Sequence, residues 1–128
     1  ALSDITQHLP GAFLIYKADP ENDQILFANQ ELVTYAGCKN LDEFMQYSKH
    51  SFRNLIRSDE QEAVEKSIWQ QIRSQADGTN DFVQFHFVKK DGSTHPVLDH
   101  GRIVENNYYG NVFYVLIMDC QLLDEHYD

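Results

Sequence analysis

Seven apolar residues, Val112 to Met118, follow one another without a polar interruption near the end of this chain of 128 residues. The run is far short of the ~20 residues that a membrane helix needs. Its β-branched and aromatic content, "VFYVLIM", reads as a strand. Because successive side chains point to opposite faces, this strand is apolar on both sides and must be covered on both. The chain must therefore supply cover for both faces of the sheet at this strand. The run stops on Asp119, and the acidic segment "CQLLDEHYD" follows.

The rest of the chain supplies partners for that strand. "GAFLIYKA" and "QILFAN" are strand-like, and the turn-forming "DPEND" between them predicts a hairpin with a somewhat long loop. The period then changes. Asn29 predicts the cap of a short helix through Leu32, Val33 and Ala36, closed by Gly37. In "NLDEF", Asn40 with Glu43 three residues on forms a capping box, opening a second helix that carries Leu41, Phe44 and Met45. "SDEQEAVEKSIWQQIRSQADG" is the clearest helix, expected from Asp59 to Ala76. Ser58 is its expected cap, Val64, Ile68 and Ile72 form an apolar stripe beside Trp69, and Gly78 is the stop.

Beyond it, Asp91-Gly92 is a two-residue hairpin signal between two strand-like runs. On the first of these Val83, Phe85 and Phe87 share one face, and Phe82, Gln84, His86 and Val88 the other. On the second, Pro96 and Gly101 conflict with an internal strand, and a bulge near either would reconcile them. Such a bulge shifts every face beyond it, so Asp99, His100 and Arg102 carry no assigned side. Two strands, short helices, one long helix and three strands make an α+β domain, a five-stranded antiparallel sheet with helices packed on one face.

Twenty acidic residues against ten Lys and Arg give a net charge of −10, which repels phosphate backbones and anionic lipid and argues against nucleic-acid and membrane-surface partners. The opening "ALSDITQHLPG" lacks a basic region followed by an apolar one, and Cys38 and Cys120 read as small apolar residues in a reducing cytosol, so a cytoplasmic location is expected. None of the six histidines falls in a metal-ligand spacing on a helix, and no nucleophile elbow or phosphate-cradling glycine loop is present. No metal, no catalytic residue and no turnover are expected of these residues.

With this order and these turns, the chain resembles a PAS domain, a sensor module of bacterial signalling proteins. The resemblance runs from about Leu9 to Asp119, through "ILFANQEL", "FRNLIRSDE", "FHFVKKDGSTHPVLDHGRIVE" and "GNVFYVLIMDC". "KKDGS" and "LDHGR" resemble PAS modules attached to diguanylate cyclase or cyclic-di-GMP phosphodiesterase domains. The final strand of such domains commonly ends in Asp-Ile-Thr; here Asp119 is kept, and Cys120 and Gln121 replace the other two. The long helix usually starts His-Pro-Asp-Asp, where this chain has Arg57-Ser58-Asp59-Glu60.

The resemblance implies one domain over residues 1–128, with a core at about 9–119, a flanking segment at 1–8 and the start of a connector at 120–128. No GGDEF or EAL motif, kinase-like histidine segment or helix-turn-helix occurs in the chain, so the implied output domain lies elsewhere in the same polypeptide. Asp119 is then the point of signal output. Haem is disfavoured, because relatives usually take their axial histidine from the long helix, which has none here; His50 and His100 are the fallback ligands. The "NCRFLQ"-like helix of photoactive flavin relatives is replaced by "HSFRNLI", without cysteine.

Phe27, Phe44, Phe52, Trp69, Phe85 and Phe87 are candidates to line a pocket or to fill a core, with Asn29, His100 and Arg102 as candidate polar handles. Two functions follow: a module sensing a small molecule, or a ligand-free dimerisation module that sets effector geometry. Either is expected to pair with a second copy through the outer sheet face, where Phe82 and Val88 join one alternate set of the final strand. Leu2, Ile5 and Leu9, at helical spacing, are expected to cover part of that face.

Overall fold

The computed structural model describes residues 11–74 and 78–121. The expected roles of Leu2, Ile5 and Leu9, the end of the long helix at Ala76, and the connector beyond Gln121 lie outside the described residues. Five strands, β1 (Ala12–Lys17), β2 (Ile25–Ala28), β3 (Asn80–Val88), β4 (Thr94–Asn106) and β5 (Gly110–Asp119), form one antiparallel sheet in the order β2-β1-β5-β4-β3. The strand apolar on both sides is the middle one. Between β2 and β3 run three helices, α1 (Gln30–Tyr35), α2 (Leu41–Ser48) and α3 (Gln61–Ser74), with 3-10 turns at Phe52–Leu55 and Ser58–Glu60.

The caps show why the short helices start where they do. Asn29 Oδ1 accepts from the Leu32 amide at 3.0 Å, and Asn40 Oδ1 accepts from the Glu43 amide at 2.9 Å. Each bond satisfies one orphan amide of a first turn. Glu43 reaches back to the Lys39 amide rather than to Asn40, and pairs with Lys90 on the β3–β4 hairpin. Gly37 closes α1 at φ +85°, a conformation that glycine adopts without steric cost.

α3 lays Val64 and Ile68 into the core, with Ile72 and Trp69 half-buried beside them, while Glu62, Lys66 and Arg73 are exposed. Ile68→Ala is expected to cost ~2–5 kcal/mol, as deletion of a buried aliphatic chain does. Lys66→Ala should change stability little. Denaturant titration of both variants checks the pair, and equal small losses would mean that the helix face is misassigned.

Four sequence expectations change. Ser58 does not cap α3; it opens the 3-10 turn, and α3 begins at Gln61, whose side chain donates to the carbonyls of Arg53 and Ile56. The β3–β4 hairpin is not a two-residue turn. Gly92 N–H donates to Lys89 O and Lys89 N–H to Ser93 O, with Gly92 at φ +88°, the pattern of a type I turn followed by a glycine bulge.

The third and fourth changes concern β4. Its register runs unbroken against β3 from Asn80↔Arg102 to Val88↔Thr94, and against β5 from Val97↔Asp119 to Asn106↔Gly110. No bulge forms at Pro96. Its partner His86 turns its amide to Glu60 and its carbonyl to the Arg57 amide, away from β4. The two are therefore a non-hydrogen-bonded pair, and the amide that Pro96 lacks would point past Asp119, where β5 pairing ends. No bulge forms at Gly101 either. It lies under the Asp81 side chain, and a Cβ there would come within 2.6 Å of Asp81 Oδ2.

Candidate functional site

The unbroken register fixes which side chains meet over the helix-covered face. Asp81, Gly101, Val115 and Leu14 stand in one row across β3, β4, β5 and β1; Val83, Asp99, Ile117 and Ala12 make the next. Aromatic rings fill much of the space between sheet and helices. Tyr16 stacks on Phe52 at 4.2 Å, Phe52 meets Phe85 edge-on at 6.1 Å, and Phe113 touches both Tyr16 at 5.0 Å and Trp69 at 5.5 Å. Tyr35 packs edge-on against Phe87.

Two carboxylates sit among these rings. Asp81 and Asp99 are each 1% exposed, and none of their four oxygens has a hydrogen-bond partner. Burial pushes Asp81 up to about 7, and Asp99 is also held well above the usual carboxylate range, first by burial and then by Asp81. The phenol of Tyr16 is likewise raised, by burial and then by Asp99 and Asp81. At the edge of the interior a crevice of about 20 Å³ is walled by Tyr16, Phe52 and Trp69 and rimmed by Asp19, Asp23 and Glu65. That is room for about one water molecule.

At the other end of the sheet lies the junction where β5 ends. Asp119 Oδ2 accepts from the Tyr35 hydroxyl at 2.6 Å, and Oδ1 accepts from the Gln121 amide at 2.8 Å. One side chain therefore ties α1 to the last strand and organises the turn that follows. His95 Nδ1 stands 3.8 Å from the same carboxylate, and the Lys89 ammonium lies 4.3 Å from the Tyr35 ring centre. Burial, then the bond to Asp119, holds the Tyr35 phenol well above its ordinary range.

The candidate lining residues separate into groups. Phe44, Phe52, Phe85 and Phe87 lie in the interior, and half-buried Trp69 packs against the same cluster. Phe27 faces the outer side, grouped with Phe13, Ile15 and Val112. His100 and Arg102 also point outward: His100 stacks on exposed Phe82 at 4.2 Å, and Arg102 is exposed. Neither is an interior handle. His50 is exposed as well, so neither fallback haem ligand reaches the interior.

Asn29 is buried, but its side chain ties the loop together, accepting from the Phe13 and Leu32 amides and donating to Gly11 O. The interior polar groups that sequence reasoning missed are Asp81 and Asp99. Asp81 had a usable signal, since it alternates in step with Val83, Phe85 and Phe87 on the inward face. Asp99 had none until the register at Pro96 was known.

A five-stranded antiparallel sheet, backed on one face by short helices and one longer one, defines a small α+β domain. The family model described as the PAS fold matches residues 25–117. The chain belongs to the PAS family, and as such is a sensory module rather than a catalytic one. Solved structures agree in fold. The PAS domain of an HTR-like protein from Haloarcula marismortui is 18% identical with a TM-score of 0.65, over 92% of this chain and 88% of that one. A PAS domain from Desulfitobacterium hafniense is 15% identical with a TM-score of 0.62, over 91% and 98%. The Rhodobacter sphaeroides LOV protein is 14% identical with a TM-score of 0.70, over 92% of this chain but only 64% of that one. No curated protein sequence matches the chain.

Proposed function

We propose that this PAS domain is a ligand-sensing input module whose occupied state alters the β5 exit at Asp119 and is passed to an output domain in the same polypeptide. The Tyr35–Asp119 bond carries this reading, because it joins a helix over the interior to the last residue of the last strand. A change in the interior that moves α1 must lengthen or break that bond. The resemblance of "KKDGS" and "LDHGR" to modules of cyclic-di-GMP enzymes favours a diguanylate cyclase or phosphodiesterase as the output, and a bacterial, cytoplasmic setting. Among the described residues no helix is long and apolar enough to cross a membrane.

Tyr35→Phe removes the hydroxyl and keeps the ring. A hydrogen bond to a charged group is worth about 1.5–3 kcal/mol, so amide hydrogen exchange at residues 119–121 should quicken by tenfold or more, with core amides unchanged. Exchange at the wild-type rate would remove Asp119 from signal output.

A second reading, the ligand-free dimerisation module, is favoured by the outer sheet face. Phe82, His100, Leu116 and Phe13 share one row there, with Phe82 54% and Leu116 36% exposed. The open patch is smaller than the sequence suggests, because Val112, Phe13 and Ile15 are buried against Leu26, Phe27, Val104 and Tyr114. Two such patches would pair by a two-fold axis, against a net charge of −10 that salt screens. Sedimentation at micromolar concentration should show a dimer that tightens as salt rises; a monomer at low and moderate salt would end this reading.

A further inference from the structure

Asp81 and Asp99 are interior carboxylates with no part in the Tyr35–Asp119 junction or the outer sheet face. On adjacent antiparallel strands, residues offset by one row are diagonal neighbours roughly 7–8 Å apart, and these two are so placed through Asp81↔Gly101 and Val83↔Asp99. Both point into the space between the sheet and the helices, both are 1% exposed, and neither has a partner. Buried charges in proteins are ordinarily paired. Position 101 holds glycine where any Cβ would collide with the Asp81 carboxylate, so the backbone itself leaves room for that group.

The nearby acids are already satisfied. Asp23 accepts from the Ser51 hydroxyl and the Arg53 amide, and Glu65 pairs with Arg53 at 2.9 Å. Among the described residues, the interior carboxylates of Asp81 and Asp99 have no hydrogen-bond partner. A divalent metal does not fit the pair: hard cations take roughly six to eight oxygens, and no group of three or more potential ligands occurs among the described residues. One N–H cation does fit, since charge-assisted N–H···O bonds of about 2.7–2.9 Å on either side span such a gap.

Tyr16, whose phenol feels the charge of both carboxylates, connects them to an aromatic crevice beside them. Tyr16, Phe52 and Trp69 wall the crevice, and rings of this kind attract cations and cover alkyl groups. Asp19, Asp23 and Glu65 at its rim favour positive over negative ligands.

We propose that the interior binds a small organic ammonium ion, its charged head between the carboxylates of Asp81 and Asp99 and its apolar part against the aromatic rings beneath α3. The proposal rests on the ligand-sensing reading and names the ligand class. The crevice in its present form holds one water-sized group, so a bound alkyl chain displaces the half-buried Trp69. Trp69 is the sole tryptophan of the chain and reports that displacement directly.

The test is a titration of the protein with ethylammonium chloride, against potassium chloride at matched ionic strength, followed by Trp69 emission and thermal melting. Ethylammonium should give a saturable emission change and raise the melting temperature, and potassium neither. Asp81→Asn and Asp99→Asn should each weaken the response at least tenfold while keeping the native circular dichroism spectrum. Should one variant not fold, the other decides the outcome. No saturable response in the wild type, or an unchanged response in a folded Asn variant, overturns the proposal. Native mass spectrometry separates this failure from that of the sensing reading. A retained small molecule without a basic nitrogen overturns the ammonium ligand and leaves sensing intact. No retained molecule, and no response to a panel of acids, neutral compounds and amines, overturns both.

Discussion

Phe113→Ala is expected to cost about 3–5 kcal/mol of folding stability, the range for truncating a buried aromatic ring. Phe113 is 0% exposed on the central strand, where its ring meets Tyr16 on one side and Trp69 on the other. Removing it leaves a void bounded by the sheet and by α3, and neither can close in without breaking strand pairing or lifting the helix stripe. Denaturant titration measures the loss, and Trp69 emission should shift as the indole loses its neighbour. Tyr108→Ala, at a side chain 85% exposed, is the matched control and should cost little. A loss below about 1 kcal/mol at Phe113 would show that the interior is not packed around that ring.

The second large effect is a stability that declines from acid towards neutral pH. Asp81 is pushed up to about 7 from 3.8 by burial, so between those values the folded chain keeps a proton that the unfolded chain has released. This group's contribution to stability is therefore full below the unfolded value, falls as pH rises, and is lost above the folded value. At ~1.36 kcal/mol per pH unit the loss reaches about 4 kcal/mol for this group. Asp99 is raised in the same direction, by burial and by Asp81, and adds to the slope, while Tyr16 is raised and stays protonated throughout.

Self-repulsion within a chain of net charge −10 also grows with pH, but it acts alike on wild type and variant. Denaturation of the ligand-free protein at pH 4 and pH 8, beside Asp81→Asn, isolates the carboxyl. The variant should gain on the wild type as pH rises. Parallel profiles would mean that Asp81 ionises freely and is not held in the interior. The same two carboxylates thus set the acid preference of the empty domain and the charge of the ligand proposed to fill it.

The reach of the sequence differs from element to element. The caps at Asn29 and Asn40, the helix stop at Gly37, and the alternation of Phe85 and Phe87 are decided within a few residues, so local chemistry was enough to read them. The failures begin where a distant partner competes for a local group. Ser58 has the composition of a cap, yet Glu60 is drawn across to the amide and ring of His86 on β3, and a 3-10 turn replaces the first helical turn. The candidate site divides in the same way. Phe44 was placed by helical apolar pattern, whereas the sides of Phe27, His100 and Arg102 depend on strand register, and the structure turns all three outward.

By itself the sequence determined the order of elements, the antiparallel sheet, and a final strand that must be covered on both faces; that this strand is the middle one is a matter of topology. A period of two or of 3.6 residues is a property of neighbours along the chain. The tertiary structure alone decided that Asp99 points inward, that Gly101 lies under Asp81, and that Tyr35 bonds to Asp119 across 84 residues. Each depends on where another strand begins or ends. Pro96 leaves the ladder unbroken only because β5 stops at Asp119, and every face of β4 beyond it follows from that stop.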